Sequence, residues 1–270
     1  MALYLICAEK QRRIVLLLYN KIMNENFENI YGTRTINEAI EHNAPISEIC
    51  VGNYVNLSQN KAIEQIAKAA NSQNIKISKV DKSLLDKWTK SASHQGIVAK
   101  VKAFEYASLQ DIIARAKEKA ASLIVVLDHI EDAGNLGAIA RSAEAFGADG
   151  LIIANKRAAT VNASTYKTSA GAIFNLPIAK VANINAAIEQ LKQNDYWIAA
   201  ASEHAQNNIW DENLKGKLAL IMGGEHDGVS SLVIKNSDYQ VKLPLSGSTE
   251  SLNVAQAATA CIYEWVRQNA

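Results

Sequence analysis

Apolar residues along this 270-residue chain change rhythm near its middle. Over residues 29–102 they fall into short groups. "ISEICVG" and "IKISKV" read as half-buried strands, and "QNKAIEQIAKAANSQN" sets Ala62, Ile63, Ile66, Ala67 and Ala70 at helical spacing. "IYGTRTINEAIEHN" reads as a turn entering a helix, "SLLDKWTKSA" as a second short helix, and "QGIVAKVKAF" as a closing strand. Together they predict a small α/β domain over 29–102. Residues 103–120, "AFEYASLQDIIARAKEKA", read as a charged helical linker. From residue 121 onward the apolar runs become continuous: "LIVVLDHI", "DGLIIAN", "YWIAAAS", "KLALIMGG". Such runs fit parallel strands buried on both faces. They alternate with the helices "NLGAIARSAEAFGA" and "NINAAIEQLKQND" and end in an Ala-rich helix, so 121–270 predicts a parallel sheet with helices on both sides.

Residues 1–28 fall outside both units and read as an N-terminal extension. In "RRIVLLLYNKIM" the apolar run Ile14–Tyr19 is far shorter than a membrane span and lacks the small-residue cleavage site of a signal peptide. Met23 is an equally good start.

Composition changes this picture little. The chain is 49% hydrophobic and 20% charged, as ordinary globular proteins are, with a net charge of +1. Residues 1–102 hold 14 Lys/Arg against 9 Asp/Glu, and the remainder 14 against 18. A basic front module facing a polyanion would give this split, and so would chance. Cys7, Cys50 and Cys261 lie far apart, with neither metal-ligand nor disulfide spacing, which suits a reducing cytoplasm. The five histidines show no ligand spacing either.

Three loops following strands carry the candidate chemistry. In "DHIEDAGNLGAIARSAEAFG" the turn Gly134-Asn135-Leu136-Gly137 lacks the G-x-G-x-x-G spacing, and "LIIANKR" ends in basic residues rather than an acid, which disfavours a dinucleotide fold. The turn offers Asn135 and, six residues later, Arg141. They read equally as a helix cap and a solvated charge. In "ALIMGGEHDGVSS" the paired Gly223 and Gly224 permit close backbone approach, and Glu225 follows the strand's C-terminal edge, where α/β sheets bind ligands. His226 and Asp227 read as a surface turn. In "LPLSGSTESLNVAQAATACIYEW" Ser251 and Asn253 flank the apolar Leu252 before the last helix, and either could cap it.

In order and spacing these three segments resemble the motifs of the SpoU family in the SPOUT superfamily, AdoMet-dependent RNA 2′-O-ribose methyltransferases. "IYGTRTINEAI" and "SHQGIVAKV" further resemble the start and end of the ribosomal-protein-like RNA-binding domain on the enzymes that methylate guanosine in 23S rRNA. The resemblance covers residues 29–268. It implies an α/β C-terminal parallel-sheet SPOUT domain with a deep trefoil knot, plus a smaller N-terminal α/β domain. It also implies S-adenosyl-L-methionine as methyl donor, with Gly223, Leu243 and Leu252 contacting its adenosyl part. Asn135, Arg141, Glu225, Ser251 and Asn253 fall on the polar active-site positions, and a homodimer shares residues between subunits. The implied substrate is RNA, a guanosine of 23S rRNA. A tRNA-modifying relative and a non-catalytic RNA-binding or ribosome-assembly protein on the same fold are the alternatives.

Overall fold

The computed structural model describes residues 27–56, 59–225, 227–249 and 251–270. The extension before residue 27 and His226 lie outside the described residues. The chain forms two compact units that divide between Phe104 and Glu105.

The first unit runs β1 (Phe27–Tyr31), α1 (Thr33–Glu41), β2 (Ile46–Gly52), α2 (Lys61–Ser72), β3 (Lys76–Val80), α3 (Lys82–Trp88) and β4 (Ile97–Lys102). Its sheet has the order β1-β4-β2-β3, with β2 and β3 parallel and the other pairs antiparallel. Ile63, Ile66 and Ala70 form the buried stripe of α2, and Asn60 caps that helix by accepting the Ile63 N–H at 3.2 Å. Phe27 and Glu28, read as part of the extension, and Ile30 and Tyr31, read as a turn, instead belong to the edge strand β1.

On this sheet Glu48 accepts hydrogen bonds from Lys100 Nζ at 2.8 Å and Ser78 Oγ at 2.6 Å, and pairs with Lys76 Nζ at 2.9 Å. Burial pulls its carboxyl upward, but these donors outweigh that effect and hold it at about 2. A carboxylate depressed on folding contributes stability that is complete above its unfolded value of 4.5 and is lost as pH falls toward 2. Glu48→Gln should therefore remove about 1 kcal/mol at neutral pH, because Lys76 is largely solvated, and flatten the acid limb. Urea unfolding between neutral pH and pH ~2 measures this; an unchanged acid limb would refute it.

The second unit opens with α4 (Leu109–Arg115), then β5 (Ser122–Asp128), α5 (Ala133–Ala145), β6 (Gly150–Ala154), α6 (Ala163–Ser169), β7 (Ile178–Val181), α7 (Ile184–Lys192), β8 (Trp197–Ala201) and β9 (Asn207–Asn208). It ends with β10 (Lys217–Gly223), α8 (Ser231–Lys235), β11 (Tyr239–Lys242) and α9 (Val254–Asn269). The seven strands, in order β7-β6-β5-β10-β8-β11-β9, are all parallel. Alternation along each strand divides the core. Ile124, Val126, Ile152, Ile198, Ala219 and Ile221 pack with α4, α7 and α8. Their neighbours face the opposite side, where α5 and α9 pack together.

Two parts of this unit differ from the expected pattern. Residues 103–120 contain the helix expected of them, but it packs into the second unit instead of only linking: Leu109, Ile112 and Ile113 of α4 are buried in the core, and Ala107 bridges to Ala179 of β7. Charge at the exposed positions masks this apolar stripe in the sequence. Helix α6 has no apolar period. Asn162 supplies a capping box, and Gly137 of α5 leaves the room it needs, since a Cβ there would sit 2.7 Å from the Thr165 carbonyl oxygen.

Candidate active site

The topological switch of the sheet lies between β5 and β10. From β5 the chain builds outward to β6 and β7, and later returns to β5's other side. At the C-terminal edge of that pair, Gly223 stands beside Asp128. Ligands of open α/β sheets bind in such crevices.

The loops from these strands meet the loop before α9. Asn253 donates its amide to Glu225 Oε1 at 2.8 Å and to Asn135 Oδ1 at 3.0 Å, while Asn135 Nδ2 donates to Glu225 Oε1 at 2.9 Å. The triangle ties three motifs together across 118 residues of sequence. Backbone donors orient its members. Asn253 Oδ1 accepts the Ala255 N–H at 3.0 Å as the N-cap of α9, which fixes its NH₂ toward Glu225. Asn135 is not the cap of α5. Asp132 is, accepting the Asn135 N–H at 2.7 Å and leaving the Asn135 side chain to the triangle. Ser251 stands exposed before α9, whose cap is Asn253 and not Ser251.

A cleft of about 440 Å³ opens beside the triangle. Gly223, Leu243 and Leu252 line it together with Glu225, Ser251 and Asn253. Its wall includes Met222, Val229, Ile234 and Val241, and its rim includes Glu203 and Lys242. Cys261 is also in the wall, and burial pushes its thiol up to about 12, so it remains a neutral apolar contact at physiological pH. Size and lining suit a small amphipathic ligand.

Arg141 is outside both features. It is exposed on α5 and makes no hydrogen bond or ion pair among the described residues. Six residues of α-helix place it about 9 Å along the axis from Asn135 and about 120° around it. The six-residue spacing thus leaves the two on different faces of α5.

Sequence reasoning missed Asp128, which is 1% exposed at the end of β5. It accepts the Ser230 N–H at 2.8 Å and contacts His129 Nδ1 at 3.0 Å, anchoring the start of the β10–α8 region to β5. The signal available was an acid closing an otherwise apolar strand.

A parallel sheet with a cleft and a polar triangle at its switch point defines an α/β ligand-binding domain. The chain belongs to the SpoU rRNA Methylase family, which it matches over residues 122–263. Residues 29–107 match the domain described as "RNA 2'-O ribose methyltransferase substrate binding". A putative TrmH family tRNA/rRNA methyltransferase of Staphylococcus aureus is 35% identical over 88% of this chain and 95% of its own length. An uncharacterized tRNA/rRNA methyltransferase of Synechocystis is 33% identical over 90% of this chain, which spans 63% of that relative. The SpoU methyltransferase AviRb of Streptomyces viridochromogenes, solved in complex with AdoMet, is 27% identical and superposes with a TM-score of 0.74 over 92% of each chain. Among the described residues no helix is long and apolar enough to cross a membrane.

Proposed function

We propose that this chain transfers a methyl group from S-adenosyl-L-methionine to the ribose 2′-hydroxyl of a guanosine in 23S rRNA, acting as a cytoplasmic homodimer. The observation that carries the reading is the Asn135–Glu225–Asn253 triangle at the mouth of the Gly223–Leu243–Leu252 cleft. The cleft fits the donor. Leu243 and Leu252 offer apolar walls to an uncharged adenine, and main-chain groups around Gly223 can bond its edge. When bound, the donor supplies an electrophilic methyl on a sulfonium.

The protein's own residues then have separable tasks. Glu225 is an acceptor held by two amides, able to take the hydroxyl proton or to orient a guanidinium. Arg141, with its planar fork of N–H donors, is suited to a target phosphate and to the charge developing on the ribose oxygen. Ser251, at the cleft edge, helps position the ribose. Arg141 reaches a cleft from the second subunit. This is supported by its exposure on α5 and its absence from the lining of the cleft in its own chain. Threading of residues 243–270 as a knot belongs to the same reading. It is supported by the crossing from α8 on one sheet face to α9 on the other, with both connections lining one cleft.

Radiolabelled donor should label 23S rRNA, and ribose-methylation mapping should place the mark on a guanosine. Label confined to tRNA would overturn the target, and no label in any RNA would leave only a binding protein. Removing residues 1–104, the first compact unit, should spare donor binding but abolish methylation of rRNA. Undiminished transfer to rRNA by the truncated chain would refute the division of labour.

A further inference from the structure

The first unit has a chemically distinct end. The β1–α1, β2–α2 and α3–β4 connections converge where β1, β2 and β3 finish and β4 begins, as the registers Tyr31–Val98, Val51–Ile97 and Gly52–Val80 show. There Tyr54 is 55% exposed although it is a large aromatic on a short loop. Its ring is seated, not loose. A Cβ on Gly52 would lie 2.5 Å from Tyr54 Cε1, so the missing side chain creates the ring's seat, and Gly96 stands in ordinary contact range of its Oη, 3.5 Å from where a Cβ would be.

Beside it stands an amide with a fixed direction. Gln95 Oε1 accepts both the Thr33 N–H and the Thr33 hydroxyl, each at 2.9 Å. A backbone N–H can only donate, so the oxygen must face Thr33 and the NH₂ must face away. Gln95 is exposed, and both N–H donors are unused among the described residues. A third component is a placed cation. Lys79 Nζ donates to the Val55 carbonyl at 2.8 Å, under the same loop. Over residues 29–102 ten Lys/Arg face six Asp/Glu.

An aromatic face, two outward donors and an ammonium together match a planar ring bearing acceptors on an anionic backbone. Resting on the RNA reading above, we propose that this end of the first unit holds an unpaired RNA nucleotide, its base stacked on Tyr54, an acceptor on its edge bonded by the Gln95 amide, and its phosphate near Lys79. Stacking on one aromatic side chain tolerates any base, so this contact selects unpaired over duplexed RNA rather than a sequence. The donors of Gln95 then favour bases that present a carbonyl or ring nitrogen.

Fluorescence anisotropy on the full chain tests the assignment with two labelled probes, a hairpin RNA with an adenosine loop and a blunt duplex of the same stem. Tyr54→Ala should weaken hairpin binding by about five- to 150-fold, the range carried by one stacked base, while Tyr54→Phe stays within about twofold. Gly52→Ala, which keeps the ring but displaces it, should also weaken the hairpin. Gln95→Glu, which preserves an acceptor for Thr33 but removes the outward donors, should cost about tenfold. Duplex binding should not change in Tyr54→Ala. A hairpin that binds Tyr54→Ala as it binds wild type, equal weakening on both probes, or no hairpin binding by wild type would each overturn the proposal. Labelled methyl transfer to extracted total RNA by wild type separates the two failures. Transfer with an indifferent Tyr54 sinks only the stacking site, and no transfer sinks the RNA reading itself.

Discussion

Arg141→Ala should lower kcat for RNA methylation by roughly 10²–10³-fold, the loss typical when a donor to developing oxyanion charge is removed. Donor affinity should remain within about twofold of wild type, because Arg141 is absent from the cleft lining. Methyl transfer measured at saturating donor, together with calorimetric titration of the donor, decides the matter. Weakened donor binding with normal turnover at saturation would reverse the assignment. Its exposure and lack of partners also predict which subunit it serves. Co-expressing Arg141→Ala chains with Glu225→Gln chains should restore partial activity, since a mixed dimer rebuilds one complete site if the arginine acts across the interface. Silent mixed dimers would place the arginine in its own subunit's site.

The second large effect is expected at Gly223, where Gly223→Ala should destabilise the second unit by about 3 kcal/mol, or roughly 10 °C in Tm. The added Cβ would stand 2.1 Å from the Gly228 carbonyl carbon and 2.2 Å from the Val229 nitrogen. Both are main-chain atoms, so no side chain can rotate aside. The 228–229 segment that must move lines the cleft, so donor affinity should fall as well. Gly247 is the control: a Cβ there meets nothing within 4 Å, and Gly247→Ala should stay within about 0.5 kcal/mol. Thermal melts compare the two variants directly. A Gly223→Ala protein melting with wild type would show that the loop after β10 yields more easily than its close packing implies.

Much of the architecture was legible from local pattern. The continuous apolar runs at "LIVVLDHI" and "KLALIMGG" became the adjacent central strands β5 and β10, because a strand covered by helices on both sides has no polar face to alternate with. Helix α4 was harder to read, since its three buried positions are interspersed with charge that the linker reading weighed more heavily. Helix α6 was invisible for another reason: its stability comes from an Asn162 capping box and from packing on Gly137, neither of which leaves a hydrophobic period.

The candidate site divides in the same way. Local sequence could place Asn135, Glu225 and Asn253 each on a loop after a strand, and motif resemblance could group them. It could not say that Asp132 caps α5 and so releases the Asn135 amide, or that Asn253 caps α9 with one atom while its other donates across the site. Those roles depend on which hydrogen-bond partners remain unspent once the helices have formed. The alternating and unbroken apolar runs by themselves determine two α/β units and the parallel character of the second, because burial on one face or two is written into residue period. Only the tertiary structure decides that the first turn of α5, the loop after β10 and the cap of α9, far apart in sequence, meet at a single carboxylate, and that Arg141 lies off the Asn135 face of its helix. The order of strands in a sheet and the turn of a helix set those distances, and neither is encoded within any one segment.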